Sequence, residues 1–242
     1  MPKTIDDLTI EIRGRLDRLE ANLMSRLDAR DLGTRSQLPF YALYCRETWM
    51  WRVVELGRDA FDCFQKEDFV SAMVLTRAAM ETTAALWTLR GKLERALKLG
   101  SVNISELGTY LARLQVGQGK GLAQPDEPKA VHVMDFIRTV EKDFEGFGHQ
   151  YDGLSEFAHP NWSGTTGLYS RFDHDEALVE FGRNIRGGER TKGIGLTNLN
   201  VALLFFEDIY NRLADLMPAF IELCERASLA SNPTDKPPQS SR

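Results

Sequence analysis

The stretch that most constrains the fold is "FVSAMVLTRAAMETTAALWTLRGKLERAL", residues 69–97. Alanine, leucine and methionine favour helix, and no breaker ends the run before Gly100. The segment before it, residues 40–66, contains "YCRETWMWRVVELGRDAFDCF" and reads as a second long helix. Its apolar residues occupy more than one face, which predicts burial between neighbours. A short polar turn near residues 66–68 separates the two, so they are expected to lie antiparallel. The chain is thereby committed to an all-α class: an antiparallel helical bundle with a small β-hairpin insertion before the last long helix.

The remaining segments fit that plan. Residues 5–30 carry Ile12, Leu16, Leu19, Leu23 and Leu27 at steps of three and four, one apolar stripe on a charged helix. Gly33 marks its stop, and Pro39 is expected to delay the next helix. "SVNISELGTYLARLQ" reads as a short helix capped by Asn103 or Ser105. "VGQGKGLAQPDEP" reads as a loop, and "KAVHVMDFIRTVEKDFE" as an amphipathic helix. "GFGHQ" interrupts that helix, and "YDGLSEFAH" resumes it until Pro160. "TTGLYSRFD" and "ALVEFGRNI", flanking "HDE", predict a hairpin over about 165–184. "RGGERTKGIG" reads as a mobile loop, and residues 196–227 as a largely apolar helix kinked at Pro218. The expected organisation is an N-terminal helix over 1–35, one bundle domain over 36–228, and a disordered tail over 229–242.

The chain has 242 residues, 43% of them hydrophobic. A chain this long buries roughly 70–75% of its unfolded surface, so neither metal nor disulfide is needed to hold it. Net charge is −5, which argues against broad, sequence-independent nucleic-acid binding. Cys45, Cys63 and Cys224 lack metal-ligand spacing and read as buried thiols. The N-terminus lacks the apolar core of a signal peptide, and "VALLFF" is too short to span a bilayer. A cytoplasmic protein without membrane contact is expected. His132, His149, His159 and His174 show no ligand spacing, so no metal and no cofactor is expected.

One polar constellation stands out. Tyr151, Ser155 and His159 are spaced i, i+4, i+8, which puts them along one helical stripe, with Glu156 a quarter turn away. Pro160 ends that helix at His159. Arg77 and Glu81 form a second polar pair inside an alanine-rich helix, where burial demands a partner. Three readings follow. Arg77, Glu81, Ser155 and His159 form a buried network that fixes helix register; or they line a binding pocket; or they act as catalysts. The first is preferred. In the third, His159 is general acid or base, Glu81 orients it, Arg77 steadies an anion and Ser155 is a nucleophile. Against that, "GLSEF" lacks the nucleophile elbow. Arg183, Arg186, Arg190 and Lys192, among five glycines, are candidates to cradle a phosphate, with Trp162, Tyr169 and Phe172 as stacking surfaces.

"TRAAMETTAALWTL" followed by "YDGLSEFAHPNWSG" resembles a bacterial all-α family that pairs an R-x-x-x-E helix with an L-S-E-[FY]-x-H-P element. That family is distantly similar to HEPN-type helical bundles of defence and toxin systems. The resemblance covers residues 44–164 and rests on Arg77, Glu81, Ser155, Glu156, His159 and Pro160. HEPN ribonucleases carry an R-x(4–6)-H motif; here Arg171 and His174 stand too close to supply it. The resemblance implies a binding or regulatory component of a bacterial defence or toxin-type system. The alternatives are a hydrolase or nuclease using the His/Glu/Arg site, and a purely structural interaction module. A homo-oligomer formed through the N-terminal helix or a bundle face is expected, with a protein partner or nucleic acid as further candidates.

Overall fold

The computed structural model describes residues 3–119, 121–122 and 124–231. In chain order these form α1 (Ile5–Ala21), a 3-10 turn (Ala29–Leu32), α2 (Leu38–Gln65), α3 (Phe69–Leu99), α4 (Ile104–Val116), α5 (Val133–Asp143), α6 (Phe147–Ala158), α7 (Thr166–Tyr169), β1 (Ser170–Asp173), β2 (Leu178–Phe181) and α8 (Glu189–Ser231). The fold is an all-α helical bundle with one small β-hairpin before the last long helix. No described helix is long and apolar enough to cross a membrane. The expected disordered tail lies, from residue 232 on, outside the described residues.

The chain divides into two compact units. The first takes the chain up to Leu23 with Trp49–Thr88 and Val133–Asp208; the second takes Met24–Thr48, Leu89–His132 and the chain from Ile209 on.

In the first unit, the α2–α3 turn is made by hydrogen bonding and not by glycine. Asp68 N–H donates to Cys63 O at 2.9 Å, and Glu67 N–H donates to Phe64 O at 3.3 Å, with Glu67 left-handed at φ 59°. This crossed pair of bonds closes the carbonyl end of α2. Asn184 donates to Glu67 O at 2.9 Å and Arg183 pairs with Asp68 at 2.9 Å, so the segment after the hairpin braces the same turn.

α8 approaches α2 and α3 closely. A Cβ on Gly195 would stand 2.3 Å from Phe64 Cζ and 2.9 Å from the Met73 methyl. Thr83 Oγ1 donates to Ala202 O at 3.1 Å across α3 and α8. Phe205 meets Phe144 edge-on at 4.7 Å, with Trp87 at 5.7 Å. α1 then lays its stripe inward: Leu8, Ile12, Leu16 and Leu19 are buried. Its N-terminus is held by a capping box between Thr4 and Asp7. Its polar edges are also fastened. Arg15 and Arg18 both bind Glu207, Arg18 Nε at 2.8 Å, and Asn200 donates to Glu11 at 2.9 Å.

In the second unit, Arg46, Glu47 and Tyr210 form a buried cluster. The Arg46 guanidinium lies 3.4 Å from the Tyr210 ring centroid, and Tyr210 donates its hydroxyl to Glu47 at 2.8 Å. α4 is capped by Asn103, which accepts from Glu106 N–H at 3.1 Å.

Several expectations need correction. The first helix stops at Ala21, not near residue 30, because Asn22 turns its side chain onto Arg18 O and Asp28 caps a separate 3-10 turn. Pro39 does not delay α2; it sits in the first turn, where its missing N–H costs nothing. α5 starts at Val133, and α6 already at Phe147. A helical turn, α7, precedes the hairpin. The expected loop at 186–195 is helical from Glu189, because Gly195 lets α8 continue past the Phe64 ring where a side chain would collide. Cys45 and Cys224 are buried and burial pushes both thiols up to about 12, but Cys63 is only half-buried.

Two stability outcomes follow. Gly195→Ala lowers stability by about 1–3 kcal/mol through overpacking on the buried Phe64 ring, despite alanine's helix preference. Gly193→Ala, with nothing within 4 Å of its Cβ, raises it by about 0.5–1 kcal/mol. Thermal unfolding of both variants checks the pair. The Arg18 hydrogen bond holds the Glu207 carboxyl below its ordinary 4.5 against the opposing effect of burial, and Arg15 adds to Arg18. Its contribution is therefore complete above that value and lost on acidification. The stability gap between wild type and Glu207→Gln is widest at neutral pH and closes as pH falls below 4.5 in a pH series of urea melts.

Candidate functional site

α3 and α6 bring three of the sequence-predicted residues together. Arg77 and Glu81 stand one turn apart on α3, and Tyr151 faces them from α6. Arg77 Nη2 donates to the Tyr151 hydroxyl at 2.7 Å, and that hydroxyl donates to Glu81 Oε1 at 2.9 Å. Arg77 Nε lies 3.3 Å from the same carboxylate oxygen, an ion-pair contact without hydrogen-bond geometry. The guanidinium also stands 4.9 Å from the Tyr151 ring centroid. Three side chains thus close a ring of charge-assisted contacts. Burial raises the Tyr151 pKa above its ordinary 10; Arg77 opposes that shift and Glu81 adds to it. The phenol is therefore held neutral, as a proton donor to Glu81.

Tyr151 is buried, but the Arg77 and Glu81 side chains keep 28% and 26% of their exposure. The Arg46–Glu47–Tyr210 cluster has the same three residue types and the same hydroxyl-to-carboxylate bond, with exposures of only 10% and 9% for its ion pair. The same chemistry is closed off in one unit and half open in the other.

Ser155 and His159 do not join this site. Ser155 Oγ donates to Tyr151 O of its own helix at 2.9 Å. His159 is exposed, in extended backbone at φ −99° and ψ 148°, as Pro160 leads one to expect. Its side chain makes no hydrogen bond or ion pair among the described residues. The network expected from Arg77, Glu81, Ser155 and His159 is thus corrected to Arg77, Glu81 and Tyr151. The reason is geometric. A step of four residues turns about 40° around the helix, so the stripe drifts by about 80° between Tyr151 and His159. The buried end of the stripe carries the tyrosine and the solvent end carries the histidine. Glu156 is exposed and bonded to Asn161.

The basic loop does not assemble a phosphate cradle either. Arg183 is paired with Asp68, and Arg186 Nε donates to Ser170 O at 2.8 Å. Arg190 is exposed on the first turn of α8. Lys192 lines a cavity of about 370 Å³ together with Asp6, Glu67 and Glu189, a wall too acidic for an anion. Among the described residues, no group of His, Cys, Asp and Glu is placed to hold a metal ion.

The hairpin carries an apolar face of which the sequence points only to Phe172. β1 and β2 pair with Arg171 opposite Glu180 and Phe172 opposite Val179. Cross-strand partners share a face, so Phe172, Val179 and Phe181 lie on one side, and Arg171 and Glu180 on the other. Every residue from 171 to 181 is exposed, Phe181 at 80%. Alternation at Phe172, Val179 and Phe181 was the available signal, but alternation does not reveal whether a face is covered.

Tyr151→Phe removes the hydroxyl shared by Arg77 and Glu81, and is expected to lower stability by about 1–2 kcal/mol. His159→Ala stays within about 0.5 kcal/mol of wild type. Denaturant melts of both variants distinguish this geometry from a histidine-centred network, which predicts comparable losses for the two.

No family model, curated protein or solved structure matches this chain; what the site can do follows from its own geometry.

Proposed function

We propose that the chain works by binding, as a recognition or regulatory component, with the hairpin as its contact surface. The observation that carries this reading is the exposed apolar face of Phe172, Val179 and Phe181 on the hairpin. Serine catalysis asks for a base on the hydroxyl, and Ser155 instead bonds a carbonyl of its own helix. Arg77 and Glu81 are held by Tyr151, which suits them to joining α3 and α6. The resemblance to HEPN-type bundles suggests a bacterial defence or toxin-type system as the setting.

The rival hydrolase or nuclease reading is tested directly. Purified protein is incubated with single-stranded RNA, double-stranded RNA and a p-nitrophenyl ester. The expected result is the same background turnover in wild type, His159→Ala and Glu81→Gln. Turnover by wild type that both variants lose would overturn the binding proposal.

A further inference from the structure

The geometry points to a partner for the hairpin: a second copy of this chain, added edge to edge along β2. This rests on the reading of the hairpin as a contact surface.

The backbone pattern singles out one edge. Gly182 N–H donates to Tyr169 O at 3.0 Å, which marks residues 169 and 182 as a bonded pair. Bonded and non-bonded pairs alternate along an antiparallel ladder. Arg171–Glu180 and Asp173–Leu178 are then bonded, while Ser170–Phe181 and Phe172–Val179 turn their N–H and C=O groups outward. On β1 the outward groups of Ser170 are occupied: its N–H donates to Thr166 O, and its carbonyl accepts from Arg186 Nε at 2.8 Å. On β2 the outward groups of Val179 and Phe181 have no partner among the described residues. The β1 edge is guarded at Ser170 and open only at Phe172, whereas the whole outward edge of β2 is a template for another strand.

That edge is complementary to itself. With a two-fold axis at Glu180, Val179 of one copy stands opposite Phe181 of the other, and the reverse. These two pairs are the outward-facing ones, so four backbone hydrogen bonds close at once. The product is a four-stranded antiparallel sheet in the order β1-β2-β2-β1. Its apolar face gathers Phe172, Val179 and Phe181 from both copies. On its polar face the two Glu180 carboxylates meet across the axis. Like charges in that position normally repel. Here each is neutralised within its own hairpin by Arg171, whose Nε lies 2.9 Å from Glu180 Oε2. The edge therefore calls for no charged group from a foreign partner.

The area sets the strength. Exposures of 80%, 44% and 38% for Phe181, Phe172 and Val179 leave apolar surface on the order of 300 Å² per copy. Stable interfaces bury roughly 800 Å² per partner. The dimer is accordingly weak and concentration-dependent, with a Kd on the order of 10–1000 µM.

Sedimentation velocity over a concentration series, joined to residue-resolved amide exchange, tests this. Wild type is expected to pass from monomer to dimer, with Val179 and Phe181 amides gaining protection only as dimer forms. Arg171 and Glu180 amides, bonded inside the hairpin, stay protected throughout. Phe181→Lys changes an exposed side chain, so the fold is retained by circular dichroism while the Kd rises roughly tenfold or more. A chain that stays monomeric at millimolar concentration overturns the inference. So does a dimer in which those two amides remain unprotected. Neither result produces turnover, so failure of the pairing is distinguishable from failure of the binding proposal.

Discussion

Close approach of α8 to α2 is the constraint from which the first unit follows. Gly195 admits the Phe64 ring at a distance no side chain would tolerate, and Gly57 does the same for Leu16 and Leu203. Once backbone and ring are in contact, the register of the helices is set. Phe205 then reaches Phe144 and Phe147, and Thr83 finds the Ala202 carbonyl. α1 closes over the result, its stripe inward and its two arginines on Glu207. Self-association through α1, if it occurs, has to use the outer side of that helix. Its inward stripe is already covered by its own chain, so what remains for a partner is the outer side, which is polar apart from the exposed Ile10.

Two Arg–Glu–Tyr clusters perform one task under different dielectric conditions. In each, a tyrosine hydroxyl donates to a glutamate that also pairs with an arginine lying near the tyrosine ring. In the buried cluster the charges need one another, because desolvated ions are costly alone. The Arg77 cluster keeps about a quarter of its ion-pair surface, so water shares the load. This makes the α3–α6 contact a joint that is satisfied but not sealed. The hairpin bears the opposite imbalance: apolar surface without cover, and on β2 outward backbone groups without partners among the described residues.

The helical plan was legible because it depends on local, repeated signals. The run from Phe69 needed only propensity and the absence of breakers, and the stop at His159 needed only Pro160. The stripe on α1 was legible as far as Leu19, where periodicity and burial coincide. Legibility failed where side chains compete with the helix for its backbone, as at Asn22 and Asp28. It failed again at 188–195, where Gly188 and Gly195, residues that normally signal a loop, are there to admit Phe69 and Phe64. In the candidate site, Arg77 and Glu81 were identifiable as a pair in need of a partner. Spacing alone could not say which member of the α6 stripe would turn inward.

The sequence by itself determined the class of fold, the long helices and their short turn, the hairpin, and the pairing of Arg77 with Glu81. All of these rest on neighbours within a few residues along the chain. Only the tertiary structure decided that Tyr151 completes the pair and that His159 faces solvent. It also decided that the basic loop is divided among Asp68, Ser170 and the wall of an acidic cavity. Those outcomes depend on which face of each helix meets another element. That is settled by packing between residues far apart in sequence, where a rotation of a few tens of degrees exchanges a buried side chain for an exposed one.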